Sequence, residues 1–438
     1  EVHVAFNRSL QAYNANRDVD TLAPHESHLA VDREMTCVRL DRLDGLPIGA
    51  INWFGVHASS LHAANTEVHP DNKGLASLAL EAYAEAHWAS STFLAAFPQT
   101  SAGDVSPNSR WDSSRGCMVG QGESDLESAH VNGALQCQHA TSLLEDSSEH
   151  TLLRPTIKVA FRYVDFACAP VDPEFGEGCV GGTTEPAVIG ISMAEGTAEG
   201  PGPLYRLRGL TSFLNACVRT YSAFVRLMGP PSASRPLASR GAKFPMFEPG
   251  RGAHGRFLGI FSQAWGALFS RLDPTIARLY ELRSRGLMGQ RAWTPHVLPL
   301  QLVQLGSMAL VALPFEPTTV AGRRIKRLVA TRLKSAGVEH VVVVGYANAY
   351  CGYLTTHEEY NAQRYEGAST YMGAWTLGAT LTQLSLMVAD MLRPEDSVST
   401  LELDRMRPAP FAEHVLKSRA ISLDSPLEED LASLGFDA

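Results

Sequence analysis

Residues 308–345, MALVALPFEPTTVAGRRIKRLVATRLKSAGVEHVVVVG, decide the fold class. An apolar run is followed by a helix-like segment and then by a second apolar run rich in valine, and the connections are short. Strand, helix, strand with short connections is the pattern of a parallel crossover. The first run leads to Glu316, and the second leads to Tyr350 and Tyr353. The stretch therefore predicts two parallel strands with polar side chains at their carboxyl ends.

An earlier part of the chain has the same layout. GAINWFGVH (49–57) ends on His57, LASLALEAYAEAH (75–87) has helical periodicity, and TFLAAF (92–97) leads to Ser106. We therefore predict an α/β fold, with a mixed sheet, strand–helix–strand crossovers and helical excursions. In open parallel sheets ligands bind beyond the carboxyl ends of the strands, so we expect the active site there. Four side chains are predicted to converge at this edge: His57, Ser106, Glu316 and Tyr353.

Length, composition and charge exclude several classes of protein. The 438 residues exceed the roughly 250–300 residues of a single core, so two lobes or one elaborated domain is expected. Hydrophobic residues are 45% and charged residues 19%, which is typical of a globular protein. The net charge of −9 argues against a nucleic-acid partner, because phosphate binding needs a concentrated basic face. No apolar run approaches the roughly 18 residues that span a bilayer.

The periodic pattern divides the chain into a packed unit and a tail. Helical periodicity covers 209–228 and 256–290, and it fades after about residue 395. We therefore predict a packed domain over residues 1–395 and a linker or tail over 396–438.

Three of the converging side chains have the chemistry of a metal site. An imidazole (His57), a carboxylate (Glu316) and a phenol (Tyr353) are nitrogen and oxygen donors that suit Zn²⁺ with an open position. Against this, a lone histidine is more often structural, and tyrosine is an uncommon zinc ligand. From the residues alone, both interpretations stay open.

The segment SAGDVSPN (101–108) is either a loop that carries a nucleophilic serine, Ser106, or a plain turn. It is not a G-x-S-x-G elbow, and no histidine base accompanies Ser106 locally. The simpler interpretation is an Asx-type turn that Asp104 stabilises.

An ordered series of motifs resembles the neutral ceramidases. The most specific are GDVSPN (103–108) and YLTTHEEYNAQRYEGAST (353–370), because their length and composition are hard to obtain by chance. The others, in chain order, are VDREMT (31–36), INWFGVHASS (51–60), HPDNKGLAS (69–77), GTAEGPG (196–202) and EPTTVAGRR (316–324).

The resemblance implies a zinc-dependent amidase that cleaves the N-acyl bond of ceramide to sphingosine and a fatty acid. By motif, His57, Glu316 and Tyr353 correspond to zinc ligands, and Ser106 corresponds to the active-site nucleophile. Arg8 is similar to an arginine that contacts the reacting amide. Either Tyr365 or Tyr360 supplies a further hydrogen bond, and Tyr365 is our candidate catalytic tyrosine.

The resemblance also implies a setting for the enzyme. A sphingolipid substrate with two alkyl chains is reached at a membrane or micelle surface, which suggests a secreted, extracellular or endomembrane-lumen protein. The oligomeric state is not determined by the sequence. Two alternative functions are a hydrolase of other N-acyl lipid amides and a non-catalytic lipid-binding homologue.

Some motifs of the family have no counterpart. The block that contributes another zinc histidine and a catalytic histidine is not found, and neither is the C-terminal immunoglobulin-like domain. We interpret the chain as a fragment of a longer protein, with a divergent member as the alternative, and expect weak or absent zinc binding. A zinc-activated water is slightly favoured over direct attack by Ser106, because no Ser–His–Asp order is recognisable.

Overall fold

The structure is a computed structural model that describes residues 3–146, 150–153, 157–176, 182–228, 239–249, 256–258, 281, 285 and 294–393. The tail over 396–438 and most of the segment 256–290 lie outside the described residues. No described helix is both long enough and apolar enough to cross a membrane.

Helices and short strands alternate along the described chain. The α-helices are α1 (Leu10–Tyr13), α2 (Asp71–Trp88), α3 (Asp125–Glu145), α4 (Arg208–Met228), α5 (Thr319–Leu333), α6 (His357–Ala362), α7 (Tyr365–Ala368) and α8 (Thr376–Met391). The strands are β1 (Phe6–Asn7), β2 (Thr36–Asp41), β3 (Pro47–Trp53), β4 (Leu94–Ala96), β5 (Val105–Ser106), β6 (Arg110–Asp112), β7 (Cys117–Val119), β8 (Ile157–Asp165), β9 (Ile189–Gly190), β10 (Pro245–Glu248), β11 (Arg256–Phe257), β12 (Val297–Leu305), β13 (Met308–Ala312), β14 (Glu316–Pro317), β15 (His340–Val344) and β16 (Tyr353–Leu354).

The stretch 308–345 forms the edge of a four-stranded mixed sheet. Its order is β15-β13-β12-β8, with β13 and β15 parallel and the other pairs antiparallel. Helix α5 connects the two parallel strands and buries Ile325, Val329 and Leu333, which are spaced by four residues and so share one face. The core around this sheet also takes in helix α8.

Residues 36–96 form a second, three-stranded sheet. Strands β2 and β3 make an antiparallel hairpin, and β3 pairs with β4 in parallel after helix α2. Helix α2 buries Ala76, Leu80 and Ala84 on one face, and α3 packs beside it. Ser124 caps α3 by accepting a hydrogen bond from the Glu127 backbone N–H. This layer has its own hydrophobic core.

The predicted α/β class is confirmed, as helices and mixed sheets together make the described structure. The helix predicted over 209–228 is present as α4. The first two residues of the segment 256–290 form strand β11, which pairs with β10, so the helix predicted there does not include them.

Helix α2 carries a half-buried lysine that contacts α3. The ammonium of Lys73 donates to the carbonyl of Phe54 at 2.7 Å and to Oε1 of Gln136 at 2.9 Å, with no counter-charge in either partner. Burial disfavours the charged form and lowers the pKa of Lys73 to about 7.

We predict that Lys73 makes folding stability rise with pH. Between pH 7 and about 10 the unfolded chain holds the Lys73 proton and the folded chain does not, so stability increases by up to about 1.4 kcal/mol per pH unit. Lys73→Met removes this slope, which urea unfolding at pH 7.5 and 9 measures. Lys326→Met is the control. Burial lowers the pKa of Lys326, but the charges of Asp32 and Glu34 outweigh burial, so the pKa is raised and Lys326 stays protonated in the folded chain over this pH range. Equal slopes for wild type and Lys73→Met contradict the prediction.

Candidate active site

The candidate site lies where the two hydrophobic cores meet. His57 follows the buried Val56, and Ser106 follows the buried Val105, both in the core around α2. Glu316 follows the buried Phe315 in the other core, and Tyr353 directly precedes the buried Leu354 of that core. Each polar side chain is thus fixed by an adjacent apolar anchor.

These side chains lie beyond the main strands, not on them. His57 is four residues past the end of β3, and Glu316 is four residues past the end of β13. Ser106 belongs to the two-stranded pair β1–β5, and Glu316 and Tyr353 are directly opposed in the parallel pair β14–β16. The sequence analysis did not predict either of these short pairs.

His57 is oriented by the strand that carries Ser106. Its backbone N–H donates to the carbonyl of Val105 at 3.1 Å, and its ring Nδ1 lies 2.9 Å from the same oxygen. Its Nε2 lies 3.0 Å from Oε2 of Glu316 and 3.4 Å from the hydroxyl of Tyr353. A neutral imidazole has a single N–H, yet both ring nitrogens face an oxygen that accepts. The contact at Nε2 therefore calls for a second proton or for a cation between the ring and the carboxylate.

Glu316 is held by two tyrosine hydroxyls in addition to its contact with His57. The hydroxyl of Tyr346 donates to Oε2 at 2.8 Å, and the hydroxyl of Tyr350 donates to Oε1. Burial by itself raises the pKa of Glu316, but the contacts with His57, Tyr350 and Tyr346 outweigh it and lower the pKa to about 2. Glu316 is therefore ionised throughout the ordinary pH range.

The donor set fits zinc. One imidazole nitrogen, one carboxylate and one phenol oxygen converge, which are ligand types that Zn²⁺ accepts. The Nδ1 contact with a backbone carbonyl holds the ring in the orientation that metal-bound histidines adopt. Within the described residues no group of three His, Cys, Asp or Glu side chains could hold a metal. Any metal here therefore depends on the phenol of Tyr353.

Arg8 joins the two halves of the site. Its guanidinium donates to Glu366 at 2.9 Å, to Glu199 at 2.6 Å, to the carbonyl of Gly103 at 2.9 Å and to the hydroxyl of Tyr353 at 3.0 Å. Burial lowers the pKa of Arg8, but the charges around it outweigh burial and raise it well above its usual value. This residue is a fixed buried cation beside the proposed zinc donors.

The loop that carries Ser106 packs closely against strand β14. The N–H of Gly103 donates to the carbonyl of Pro317 at 2.8 Å. A Cβ on Gly103 would lie 2.7 Å from the carbonyl oxygen of Glu316, closer than real Cβ atoms come. Glycine is therefore required at position 103 for Ser106 and Glu316 to belong to one site.

Ser106 is held by a carboxylate. Its hydroxyl donates to Oε2 of Glu199 and accepts the backbone N–H of Asn108 at 2.9 Å. Oε2 also accepts the side-chain amide of Asn108 at 2.9 Å. Burial raises the pKa of Glu199, but the charges of Arg8 and His57 and the hydrogen bond from Ser106 outweigh it, so the pKa is lowered. Ser106 thus has an ionised acceptor for its proton.

Asp104 does not form the Asx-type turn that was the simpler interpretation. Its Oδ1 accepts the backbone N–H and the hydroxyl of Thr319, both at 2.8 Å, and its Oδ2 accepts the side chain of Asn7 at 2.7 Å. Thr319 is the first residue of helix α5. Asp104 therefore accepts a hydrogen bond from a backbone N–H that has no partner within the helix, although the two residues are 215 positions apart. Burial raises the pKa of Asp104, and these hydrogen bonds oppose that shift.

Of the two candidate tyrosines, Tyr365 lies at the site. Its ring is 5.6 Å from the guanidinium carbon of Arg8 and 5.6 Å from the ring of Tyr353. Tyr360 is fully buried and donates its hydroxyl to the carbonyl of Arg240 at 3.0 Å. Tyr365 is therefore the better placed of the pair.

The structure brings all six candidate residues into one connected region. His57, Glu316, Tyr353, Arg8, Ser106 and Tyr365 are linked by the contacts described above. Sequence reasoning missed Glu199 and Glu366. Glu199 lies in GTAEGPG, which served only as a family motif, and Glu366 lies in the long 353–370 motif. The signal that points to both is the cation at position 8, which needs counter-charges when buried.

Comparison with known protein families gives one consistent result. The family model for neutral/alkaline non-lysosomal ceramidases, N-terminal, matches residues 2–227 and 282–382. A neutral ceramidase of Pseudomonas aeruginosa is 34% identical over 405 residues, covering 90% of this chain and 50% of that protein. Neutral ceramidase A of Dictyostelium discoideum is 30% identical over 401 residues, covering 85% of this chain and 49% of that protein.

A solved structure shares the fold. A ceramidase complexed with C2 superposes with a TM-score of 0.66 at 30% sequence identity, covering 94% of this chain and 54% of that one. The chain spans about half the length of the curated relatives it matches.

We predict that Asp104 is a structural residue on which the site depends. Asp104→Ala leaves the first N–H of α5 without its acceptor and removes one of the two acceptors of the Asn7 amide, which keeps the carbonyl of Ala30, so it lowers the free energy of unfolding by about 3 kcal/mol. Asp104→Asn keeps one acceptor and costs about half as much. Asp112→Ala is the control, because Asp112 forms a surface Asx turn with Ser114 and its loss has little effect on stability. Denaturant unfolding measures all three, and equal losses at positions 104 and 112 would refute the assignment.

Proposed function

Because the chain belongs to the family of neutral/alkaline ceramidases, we propose that it hydrolyses the N-acyl amide bond of ceramide to sphingosine and a free fatty acid. The observation that carries the proposal is the convergence of the His57, Glu316 and Tyr353 side chains beside the buried pair Arg8–Glu199. Amide hydrolysis needs a nucleophile, a stabilised carbonyl oxygen and a proton for the leaving amine.

We assign His57, Glu316 and Tyr353 as the residues that hold Zn²⁺. Zinc in such a site acts as a Lewis acid and lowers the pKa of a bound water. Both ring nitrogens of His57 lie beside oxygens that accept, and a cation at Nε2 is one of the two ways to satisfy that contact, which supports this assignment. Tyr346 and Tyr350 keep the Glu316 carboxylate ionised and fixed.

We assign Arg8 and Tyr365 as the residues that stabilise the carbonyl oxygen of the substrate amide. Arg8 is held at four points, so its charge needs no reorganisation when negative charge develops on the substrate. Tyr365 packs against Arg8 and adds a phenol on the same side. Glu366 is a positioning residue, since it fixes the guanidinium without being assigned a contact with substrate, and Glu199 fixes the guanidinium and also accepts from Ser106.

Two routes to the amide carbon are compatible with this arrangement. In the first, the Ser106 oxygen attacks, its proton passes to Glu199, and the amine leaves with a proton before water releases the fatty acid. In the second, a water molecule attacks and Ser106 orients it. The hydrogen bond from Ser106 to Glu199 supplies the first route with a proton acceptor that the sequence analysis had not identified.

Two alternative functions differ from the proposed one in what they do to ceramide and to related amides. A hydrolase of other N-acyl lipid amides cleaves N-acyl amines that lack the sphingoid hydroxyls as fast as it cleaves ceramide. A non-catalytic lipid-binding homologue binds ceramide and releases no fatty acid.

We predict zinc binding that depends on His57. The chain equilibrated with Zn²⁺ retains a weakly held metal, as the missing histidine block leads us to expect, and His57→Ala or Glu316→Gln weakens the retention at least about tenfold, because each removes a donor. Metal content by plasma mass spectrometry and competition with a chromophoric chelator measure this. His87→Ala is the control, since His87 is exposed on α2. Unchanged retention in His57→Ala would place the metal elsewhere.

We predict that Ser106→Ala lowers kcat for hydrolysis of a fluorescent ceramide by at least about 10³-fold, and Glu199→Gln by about 10²-fold with little change in KM. The amide introduced at position 199 still accepts from Ser106 but no longer balances the charge of Arg8. Glu174→Gln is the control, because Glu174 is exposed and, within the described part of the chain, its ion pair is with Arg332. Absence of fatty-acid release by the wild type with zinc retained refutes the proposed function.

Trapping separates the two routes. With a slowly turned-over acyl substrate, the first route gives a covalent adduct of acyl mass on Ser106, which intact-mass spectrometry detects and Ser106→Ala abolishes. No adduct under conditions of steady turnover supports the second route.

A further inference from the structure

Helix α4 is packed with its polar side chains inward. Thr211, Asn215 and Ser222 are almost fully buried. The hydroxyl of Thr211 donates to Glu195, and the amide of Asn215 donates to Ser192 Oγ at 2.9 Å. These spacings of four and seven residues place the three on one face of the helix. The helix is attached to the rest of the molecule through hydrogen bonds made by this face.

The apolar face of the same helix is exposed. Leu210, Phe213, Tyr221 and Phe224 are 53%, 63%, 60% and 62% exposed, and Cys217 between them is also exposed. Their spacings of three, four and seven residues form a continuous stripe. A helix on a globular protein normally buries such a stripe and exposes its polar face. An exposed apolar surface of this kind marks an interaction site.

The charge of this region differs from that of the whole chain. Residues 200–228 contain four arginines, at positions 206, 208, 219 and 226, and no aspartate or glutamate. The chain as a whole carries a net charge of −9. An apolar, aromatic stripe on a purely cationic helix is complementary to an anionic lipid surface.

The helix is connected to the candidate site through a short loop. Glu195, which accepts the hydroxyl of Thr211, opens the loop that carries Glu199. The N–H of Gly202 closes this loop on the carbonyl of Glu195 at 2.7 Å. Only a few residues therefore separate the contact of α4 from the carboxylate that holds Arg8 and Ser106.

We propose that α4 is the element by which the chain docks on an anionic lipid bilayer, with Leu210, Phe213, Tyr221 and Phe224 entering the interface. The choice of a bilayer as the partner rests on the proposed function, because ceramide is a bilayer lipid. Docking through α4 brings the loop that carries Glu199, and so the candidate site, close to the surface from which the substrate comes.

Flotation of the whole chain with vesicles tests this. Vesicles of phosphatidylcholine with about 30% phosphatidylglycerol and no ceramide are used, so binding is measured apart from catalysis. We expect the wild type to float, and Phe213→Ser/Phe224→Ser to lower the bound fraction at least about tenfold, since each Phe loses its apolar contact. Leu210→Ser/Tyr221→Ser is a second pair with the same expectation. Leu43→Ser/Val68→Ser is the matched control, because both residues are fully exposed and remote from α4 in sequence.

A fluorophore on Cys217 gives a direct readout. Cys168 is also exposed, and Cys179 lies outside the described residues, so both are first replaced by serine. An environment-sensitive probe on Cys217 is expected to shift to shorter wavelength with these vesicles and much less with pure phosphatidylcholine. A wild type that does not float, or a Phe213→Ser/Phe224→Ser variant that floats equally, overturns the proposal.

Two further outcomes also overturn it. If Cys217 cannot be labelled in the folded protein, another segment of the chain covers the stripe. If the wild type sediments as a dimer that Phe213→Ser/Phe224→Ser dissociates, the stripe is an interface between two copies. Hydrolysis of a water-soluble short-chain ceramide, measured in parallel, reports on the proposed function alone: the α4 variants retain it if only docking is lost.

Discussion

The buried guanidinium of Arg8 is the interaction on which the site depends. It is bound by Glu199 and Glu366, which come from segments far apart in the chain, and by the hydroxyl of Tyr353. Removing one partner of a buried ion pair costs about 3–5 kcal/mol, because the remaining charge stays buried. The cluster therefore favours one arrangement of the loops. Under the proposed function, the same cation would stabilise the negative charge that develops on the amide oxygen, so a single charge would contribute to both stability and chemistry.

Two hydrophobic cores make that arrangement possible. One core surrounds the mixed four-stranded sheet, and the other surrounds α2 and α3. Apolar residues next to each polar side chain, such as Val56 beside His57 and Phe315 beside Glu316, insert into one core or the other. Gly103 lets the loop that carries Ser106 approach strand β14 so closely that a side chain at position 103 would not fit. The polar side chains project into the junction, where most of them are buried and charges interact more strongly than in water.

The sequence predicts the local elements better than it predicts their connections. Periodicity gives α2, α5 and their flanking strands, because burial of one face imposes a repeat that is visible in the residues. Family motifs give the candidate site residues. The pairs β1–β5 and β14–β16 have two residues in each strand, which is too short for any repeat. The pairing of Asp104 with Thr319 and of Arg8 with Glu199 spans 215 and 191 residues, and no local pattern encodes a contact at that distance.

Helix α4 shows where the periodicity rule needs a second condition. Its apolar repeat correctly predicts a helix, but the rule also places the repeat toward the core, and here the core side is polar. Thr211 and Asn215 are satisfied by Glu195, Ser192 and the backbone of Phe244, so burying them leaves no orphaned hydrogen-bonding group. The free energy gained by burying Leu210, Phe213, Tyr221 and Phe224 is not used within the described fold. A helix keeps such a stripe exposed in water at a cost in solubility, and a lipid surface is the environment that recovers that free energy.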